Sequence, residues 1–118
     1  MRYALLIWSE DTEGTDPDRM AAFVAFEEQL RARGVEFRGE RLRPSTATTR
    51  VEVRDGDLVI ADGPFAETKE QMAGFYLVEC ADLDEAIEIA SKHPTAWLGK
   101  IEVRPIAGDS CVDARESG

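Results

Sequence analysis

The chain has 118 residues, 43% of them hydrophobic and 32% charged, and a formal net charge of −10. This length favours one domain with one core, and the composition is that of a folded globular protein. The acidic balance argues against nucleic acid and against acidic membrane surfaces as partners, because both attract basic faces. The chain has only two cysteines, Cys80 and Cys111, and no CxxC pair. A disulfide scaffold and a cysteine metal or redox motif are therefore not expected, and a reducing compartment suits the sequence.

The apolar start of the chain, residues 1–8, is too short for a signal peptide. No apolar run approaches the roughly 18 residues that a membrane-spanning helix needs. We therefore expect a cytoplasmic protein without a membrane segment.

The first predicted elements are a strand and a helix. Residues 3–8 form an unbroken apolar run, which predicts a central strand buried on both faces. Asp16 and Pro17 then predict a helix start, as N-cap and first helical residue, and Gly34 predicts its end. The apolar positions at helical spacing are Met20, Phe23, Phe26 and Leu30.

A strand and a hairpin follow. Residues 35–43 alternate between apolar or small and charged side chains, which predicts a strand that Pro44 stops. Residues 50–54 and 57–61 flank Asp55-Gly56, a two-residue signal for a type I′ β-hairpin.

The last third of the chain predicts a strand, a helix and a strand. Residues 73–80 are apolar on both faces, and Asp82 with Glu85 predicts a capping box at a helix start. The apolar stripe predicted for this helix is Leu83, Ala86, Ile87 and Ala90. Residues 100–106 form the last predicted strand, which completes one domain over residues 1–106. The polar tail, residues 107–118, is expected to be disordered.

Without the hairpin, this order is the βαββαβ pattern of a ferredoxin-like α+β fold, an antiparallel sheet with both helices on one face. The other face would then carry apolar side chains such as Phe75 and Leu77. A twin sheet from a second copy can cover that face, so the pattern predicts a homodimer in the form of a dimeric α/β barrel.

A ten-residue run, residues 62–71, carries the densest local chemistry. Asp62 can bond its own backbone, Gly63 tolerates a positive φ, and Pro64 fixes the next φ. Phe65 and a cluster of charged residues follow at once. A plain surface turn does not need this combination.

The segment DGPFAETKEQMAGFYLVE, followed by DLDEAIEIA and IEVRPI, resembles the YCII-related family in its DGPF branch. The opening RYALLIW is similar to the usual first strand of that branch. The resemblance implies a bacterial ferredoxin-like dimeric α/β barrel of largely unassigned biochemical role. Genes of this branch often neighbour those of extracytoplasmic-function sigma factors, which implies a link to such a response.

One departure from the family matters for chemistry. Some YCII-related proteins carry a His–Asp pair proposed as an active-site dyad, with the histidine on the first helix. Residues 17–33 contain no histidine here, and the sole histidine of the chain is His93, just before Pro94. The dyad therefore cannot be transferred. His93 is interpreted as a side-chain donor to the free carbonyls at a helix end.

Asp62 is the candidate general base. A carboxylate held by a Gly-Pro turn beside Phe65 can be partly desolvated, which raises its pKa and suits proton abstraction. The alternative is an Asx-turn that only organises the backbone.

The remaining candidates are ligand-binding residues. Lys69, with Glu70 beside it, can hold an anionic group, or the two can be a surface ion pair worth under about 1 kcal/mol. Arg41 and Arg43 share a strand face and can grip a carboxylate. They can equally pair with acidic neighbours, namely Glu36, Glu40 and Glu52. Tyr76 can face the ligand or pack in the core.

Two functions follow from these residues. The first is binding of a small organic molecule, anionic or aromatic, in a pocket near the DGPF turn, with acid/base chemistry that needs no metal or bound cofactor. The alternative is a non-catalytic ligand-binding or interaction module in a sigma-factor response. The sequence contains no P-loop, no GxGxxG and no paired metal-ligand spacing.

Overall fold

The computed structural model describes residues 1–10, 17–66 and 68–108, and these residues contain six strands and two α-helices. In chain order they are β1 (Arg2–Glu10), α1 (Pro17–Ala32), β2 (Phe37–Arg41), β3 (Thr49–Arg54), β4 (Asp57–Asp62), β5 (Glu70–Glu79), α2 (Leu83–Ser91) and β6 (Lys100–Pro105). Two short 3₁₀ helices, Ser45–Ala47 and Pro94–Trp97, lie after β2 and α2.

Four strands form the main sheet, in the order β2-β5-β1-β6, and every neighbouring pair is antiparallel. β1 is a central strand, as its apolar run predicts. The mixed α+β architecture is confirmed, and this strand order is compatible with the predicted ferredoxin-like fold. β3 and β4 form a separate two-stranded ribbon inserted between β2 and β5.

The core lies on one face of the main sheet. Alternate residues of β1 and β5 are buried there, and both helices contribute to the same cluster. The buried apolar residues are Tyr3, Leu5, Ile7, Phe26, Leu30, Tyr76, Val78, Cys80, Ala86, Ile89 and Ala90. The alternate β5 side chains, Phe75 and Leu77, point to the opposite face and are half-buried. The central strands are therefore fully buried on one face only.

α1 begins at Pro17, as predicted, while the predicted N-cap Asp16 lies outside the described residues. Gly34 follows the helix with φ +73°, a conformation that glycine adopts without a steric penalty. Its N–H donates to the carbonyl of Arg31 at 3.0 Å. The helix end is therefore set by local sequence.

The start of α2 is confirmed but its buried stripe is not. Asp82 Oδ1 accepts from the Glu85 N–H at 2.9 Å, and Glu85 Oε1 accepts from the Ala81 N–H at 2.9 Å. Leu83 and Ile87, predicted as core residues, are 47% and 50% exposed. The residue missed by the prediction is Ile89, which is fully buried, because the helix lies on the sheet rotated toward that side.

The ribbon turn has the predicted geometry. Asp55 has φ 51° and Gly56 has φ 82°, the two positive values that a type I′ turn needs. One face of the ribbon is apolar and exposed. It consists of Val51, Val53, Leu58 and Ile60, which are opposed as Val51↔Ile60 and Val53↔Leu58 and are each more than 60% exposed. We call this set the apolar ribbon face.

No helix among the described residues is long and apolar enough to cross a membrane.

Candidate functional site

A cavity of about 530 Å³ opens between the first turns of α1 and the helix-covered face of the sheet. The end of β1, the end of β2 with the loop after it, the middle of β5 and the residues after α2 form its walls. The lining residues are Ile7, Ser9, Glu10, Arg19, Met20, Phe23, Glu27, Gly39, Glu40, Arg41, Leu42, Arg43, Pro44, Ala73, Gly74, Tyr76, His93 and Thr95.

The inner end of the cavity is aromatic, and His93 stands at its centre with 3% of its surface exposed. Its ring stacks on Phe23, with centroids 5.4 Å apart and planes at 27°. Phe26 and Tyr76 form edge-to-face pairs with the same ring, and their ring centroids lie 4.9 and 5.5 Å from that of His93. Such edge and stacked arrangements are the favourable geometries for aromatic pairs.

The side chain of His93 accepts a hydrogen bond and does not donate one to a helix end. Its Nδ1 accepts from the Thr95 N–H at 3.0 Å and so caps the 3₁₀ helix Pro94–Trp97. The interpretation of His93 as a side-chain donor to carbonyls is therefore wrong. Burial among apolar rings disfavours the charged imidazolium and lowers the pKa of His93 to about 4. The ring is neutral at physiological pH.

Tyr76 lies beside His93 in the cavity wall, on the core face of β5. Burial, and after it the negative charge of Glu27, raise the pKa of its phenol to about 12, so the hydroxyl stays protonated. The cross-strand partner of Tyr76 is Gly39, and a Cβ there would lie 2.7 Å from Cδ1 and 2.9 Å from Cζ of the tyrosine ring. Gly39 therefore provides the space that the Tyr76 ring occupies.

The rim of the cavity is charged, and its acidic groups are largely engaged. Glu10 pairs with Lys69 at 3.2 Å and Glu40 pairs with Arg38 at 3.3 Å. Arg41 and Arg43 also line the cavity, and within the described part of the chain neither makes an ion pair. Within the described residues neither arginine therefore pairs with Glu36, Glu40 or Glu52, and Glu52 pairs with Arg54 at 2.7 Å.

Three of the predicted site residues thus meet in this cavity, namely Arg41, Arg43 and Tyr76. The residues of the DGPF turn do not line it. Asp62 is exposed, which makes the expected partial desolvation wrong, and Phe65 is 88% exposed.

The charged residues after the turn form surface ion pairs. Lys69 is connected to the rim through its ion pair with Glu10, and Glu70 pairs with Lys100 at 2.9 Å. Glu67 lies outside the described residues. Asp62 as a base and Phe65, Lys69 and Glu70 as ligand contacts therefore stay predictions.

A second cavity of about 350 Å³ adjoins the first along the loop after β2. It shares Leu42, Arg43 and Pro44 with the larger cavity, and its other walls are Ser45, Ala47, Thr48, Gln71 and Met72. The two cavities together extend from His93 toward the base of the ribbon.

Sequence reasoning missed Arg19, Phe23, Glu27 and His93 as residues of one site. Arg19, Phe23 and Glu27 follow each other at four-residue spacing on α1, which places them on one helix face. That spacing was a usable signal for a shared surface. The contribution of His93 had no local signal, because it depends on how the residues after α2 pack against α1.

The described residues contain no group of three or more His, Cys, Asp and Glu side chains arranged to hold a metal ion.

Together, the fold and the cavity define a small α+β protein with a four-stranded antiparallel sheet, an inserted two-stranded ribbon and a cavity between the sheet and α1. The model of the YCII-related domain matches residues 1–108. The chain therefore belongs to the YCII-related family.

A curated relative is similar over part of its length. It is the uncharacterized protein R00369 of Rhizobium meliloti (strain 1021), which is 49% identical over 69 residues. The match covers 57% of this chain and 56% of the relative, so the similarity spans little more than half of either protein.

Proposed function

We propose that this YCII-related protein binds a small organic anion in the cavity beside α1. The observation that carries the proposal is the combination of Arg41 and Arg43, which make no ion pair among the described residues, with an aromatic interior in one cavity. The volume of about 530 Å³ is in the range of small-molecule sites.

The two parts of the cavity suit two parts of a ligand. Arginine forks bind carboxylates with two parallel hydrogen bonds, so Arg41 and Arg43 hold the acid group at the rim. Phe23, Tyr76 and His93 then contact an apolar or aromatic body. For acid/base chemistry without a cofactor, Glu27 is a half-buried carboxylate inside the cavity, whereas the predicted base Asp62 lies outside it.

Calorimetric titration with phenylacetate, and with its neutral amide as a charge control, tests this function. We expect the wild type to bind phenylacetate and to bind phenylacetamide at least about tenfold more weakly, since a hydrogen bond to a charged group is worth roughly 1.5–3 kcal/mol. Arg41→Gln and Arg43→Gln should each weaken phenylacetate binding by a similar factor.

Arg54→Gln is the control, because Arg54 pairs with Glu52 on the ribbon and neither residue lines the cavity. Equal binding of acid and amide, or equal losses in Arg54→Gln and Arg41→Gln, would contradict an arginine site for the acid group.

We also propose self-association into a homodimer. Phe75 and Leu77 leave an apolar sheet face without a covering layer, and the apolar ribbon face adds further exposed apolar area. Contiguous exposed apolar patches on soluble proteins mark contact surfaces. The proposed dimer has the form of an α/β barrel. We propose further that the chain belongs to the DGPF branch of the family and that the protein is cytoplasmic.

A further inference from the structure

The hydrogen bond from the Thr95 N–H fixes the tautomer of His93. A neutral imidazole carries one proton, and the nitrogen that accepts a hydrogen bond is the one without it. Since Nδ1 accepts from Thr95 at 3.0 Å, the ring proton is on Nε2. His93 therefore offers one N–H donor, and its position is set by the backbone.

This donor has no acceptor within the described residues. Nδ1 faces the Thr95 backbone, while Phe23 covers one ring face and Phe26 and Tyr76 lie at the edges. His93 is 3% exposed, yet it lines the cavity. Nε2 is not among the fully buried side-chain atoms without a partner, so His93 keeps an accessible donor at the cavity wall, and a ligand oxygen there would accept from an N–H to which the described residues offer no acceptor.

Charged side chains on the neighbouring elements surround the neutral ring of His93. Those on the elements that surround His93 are Arg19 and Glu27 on α1, Glu10 on β1, and Glu40 and Arg41 on β2. Because the imidazole is neutral, it adds no charge for the acid group. It is suited to an uncharged oxygen or to one on which negative charge develops.

We propose that His93 donates its Nε2–H to a carbonyl oxygen of the ligand, and that the ligand is therefore a 2-oxo carboxylic acid with an apolar body. In this arrangement Arg41 and Arg43 hold the carboxylate and the aromatic wall contacts the body. The inference rests on the proposed function, because it assigns a second contact to the same organic anion.

The same geometry excludes His93 as a base through Nε2, since that nitrogen already carries a proton. A neutral imidazole whose tautomer is fixed by a backbone amide at a helix start instead polarises a carbonyl. His93 is thus a donor that stabilises negative charge on the ligand oxygen.

The test compares two probes that differ only at the carbonyl, benzoylformate and phenylacetate, by calorimetric titration of the wild type, His93→Phe and Arg41→Gln. We expect the wild type to favour benzoylformate about fivefold, the value of one net hydrogen bond. In His93→Phe, which keeps a ring of similar shape, the preference should disappear. Arg41→Gln should weaken both probes and keep the preference.

The outcomes separate this inference from the function on which it rests. Equal binding of the two probes to the wild type, or an unchanged preference in His93→Phe, would overturn the carbonyl contact and leave the anion site intact. Failure of both probes to bind the wild type would overturn both.

If His93→Phe does not fold, nitrogen NMR of the wild type decides, since the chain has a single histidine. We expect a protonated Nε2 whose signal moves with benzoylformate and much less with phenylacetate. A proton on Nδ1, or equal shifts with the two probes, would overturn the inference.

Discussion

At the scale of single residues, the protonation of His93 makes the stability of the fold depend on pH. Its pKa is about 4 in the folded protein and near 6.5 in an unfolded chain, because burial opposes the charged ring. The unfolded state therefore binds the proton at a higher pH than the folded state. The neutral, buried ring contributes its full stability above about pH 6.5, and this contribution is lost as the pH falls from about 6.5 toward 4.

Urea unfolding across this pH range should show the linkage. Between about pH 6.5 and 4 the wild type should lose up to about 3 kcal/mol more unfolding free energy than His93→Phe, which has no ring to protonate. The cavity carboxylates are present in both proteins, so their titration cancels in the difference. Parallel curves for the two proteins would show that His93 is not buried in the neutral form.

Gly63 gives a second residue-scale prediction. Its φ is +87°, and no atom lies within 4 Å of where a Cβ would be, so a substitution there meets backbone strain without a clash. Gly63→Val should lower the unfolding free energy by about 1–2 kcal/mol. Gly63→Asn is the control and should lose less, since asparagine tolerates this conformation. An unchanged denaturation midpoint for the valine variant would argue against the strained turn.

At the scale of elements, local signals placed the strands and helices. The ribbon turn at Asp55-Gly56 and the end of α1 at Gly34 follow from residues that adopt positive φ. The rotation of α2 about its own axis, in contrast, could not be predicted from local sequence. Ile87 and Ile89 are both plausible core residues by sequence, and the contact with the sheet selects Ile89.

The cap of α2 can be tested by substitution. Asp82→Ala removes the acceptor of the Glu85 N–H, and the expected loss is about 1 kcal/mol of unfolding free energy. Asp84→Ala is a matched control in the same first turn, because Asp84 is exposed and does not cap. If the two variants lose the same amount, helix-terminal charge and not the cap hydrogen bond supports the start of α2.

At the scale of the whole molecule, the apolar surfaces that one chain leaves without a covering layer are the basis of the proposed homodimer. Phe75 and Leu77 belong to the uncovered sheet face, and the apolar ribbon face lies on a separate hairpin. Both would be unusual on a protein that stays monomeric.

Sedimentation at micromolar concentration should therefore give the mass of a homodimer. Ile60→Lys places a charge on the apolar ribbon face and should shift the equilibrium toward monomer. Val59→Lys is the control, since Val59 lies on the other face of the same ribbon and is 40% exposed. A monomer mass for the wild type would contradict the dimer and with it the barrel.

Local sequence predicts the elements and their order, because caps, turn residues and apolar alternation act over a few residues, and the motif at residues 62–79 indicates the family. The prediction that Arg41 and Arg43 share a strand face is wrong, because β2 ends at Arg41 and Arg43 lies in the loop after it. The position of the candidate site depends on tertiary packing. The cavity joins the end of β2, the first turns of α1 and His93, which are far apart in the chain, and their meeting depends on the sheet order and on the packing of α1. The same packing buries His93 and leaves Asp62 in solvent, a difference that the residues next to these two positions do not predict.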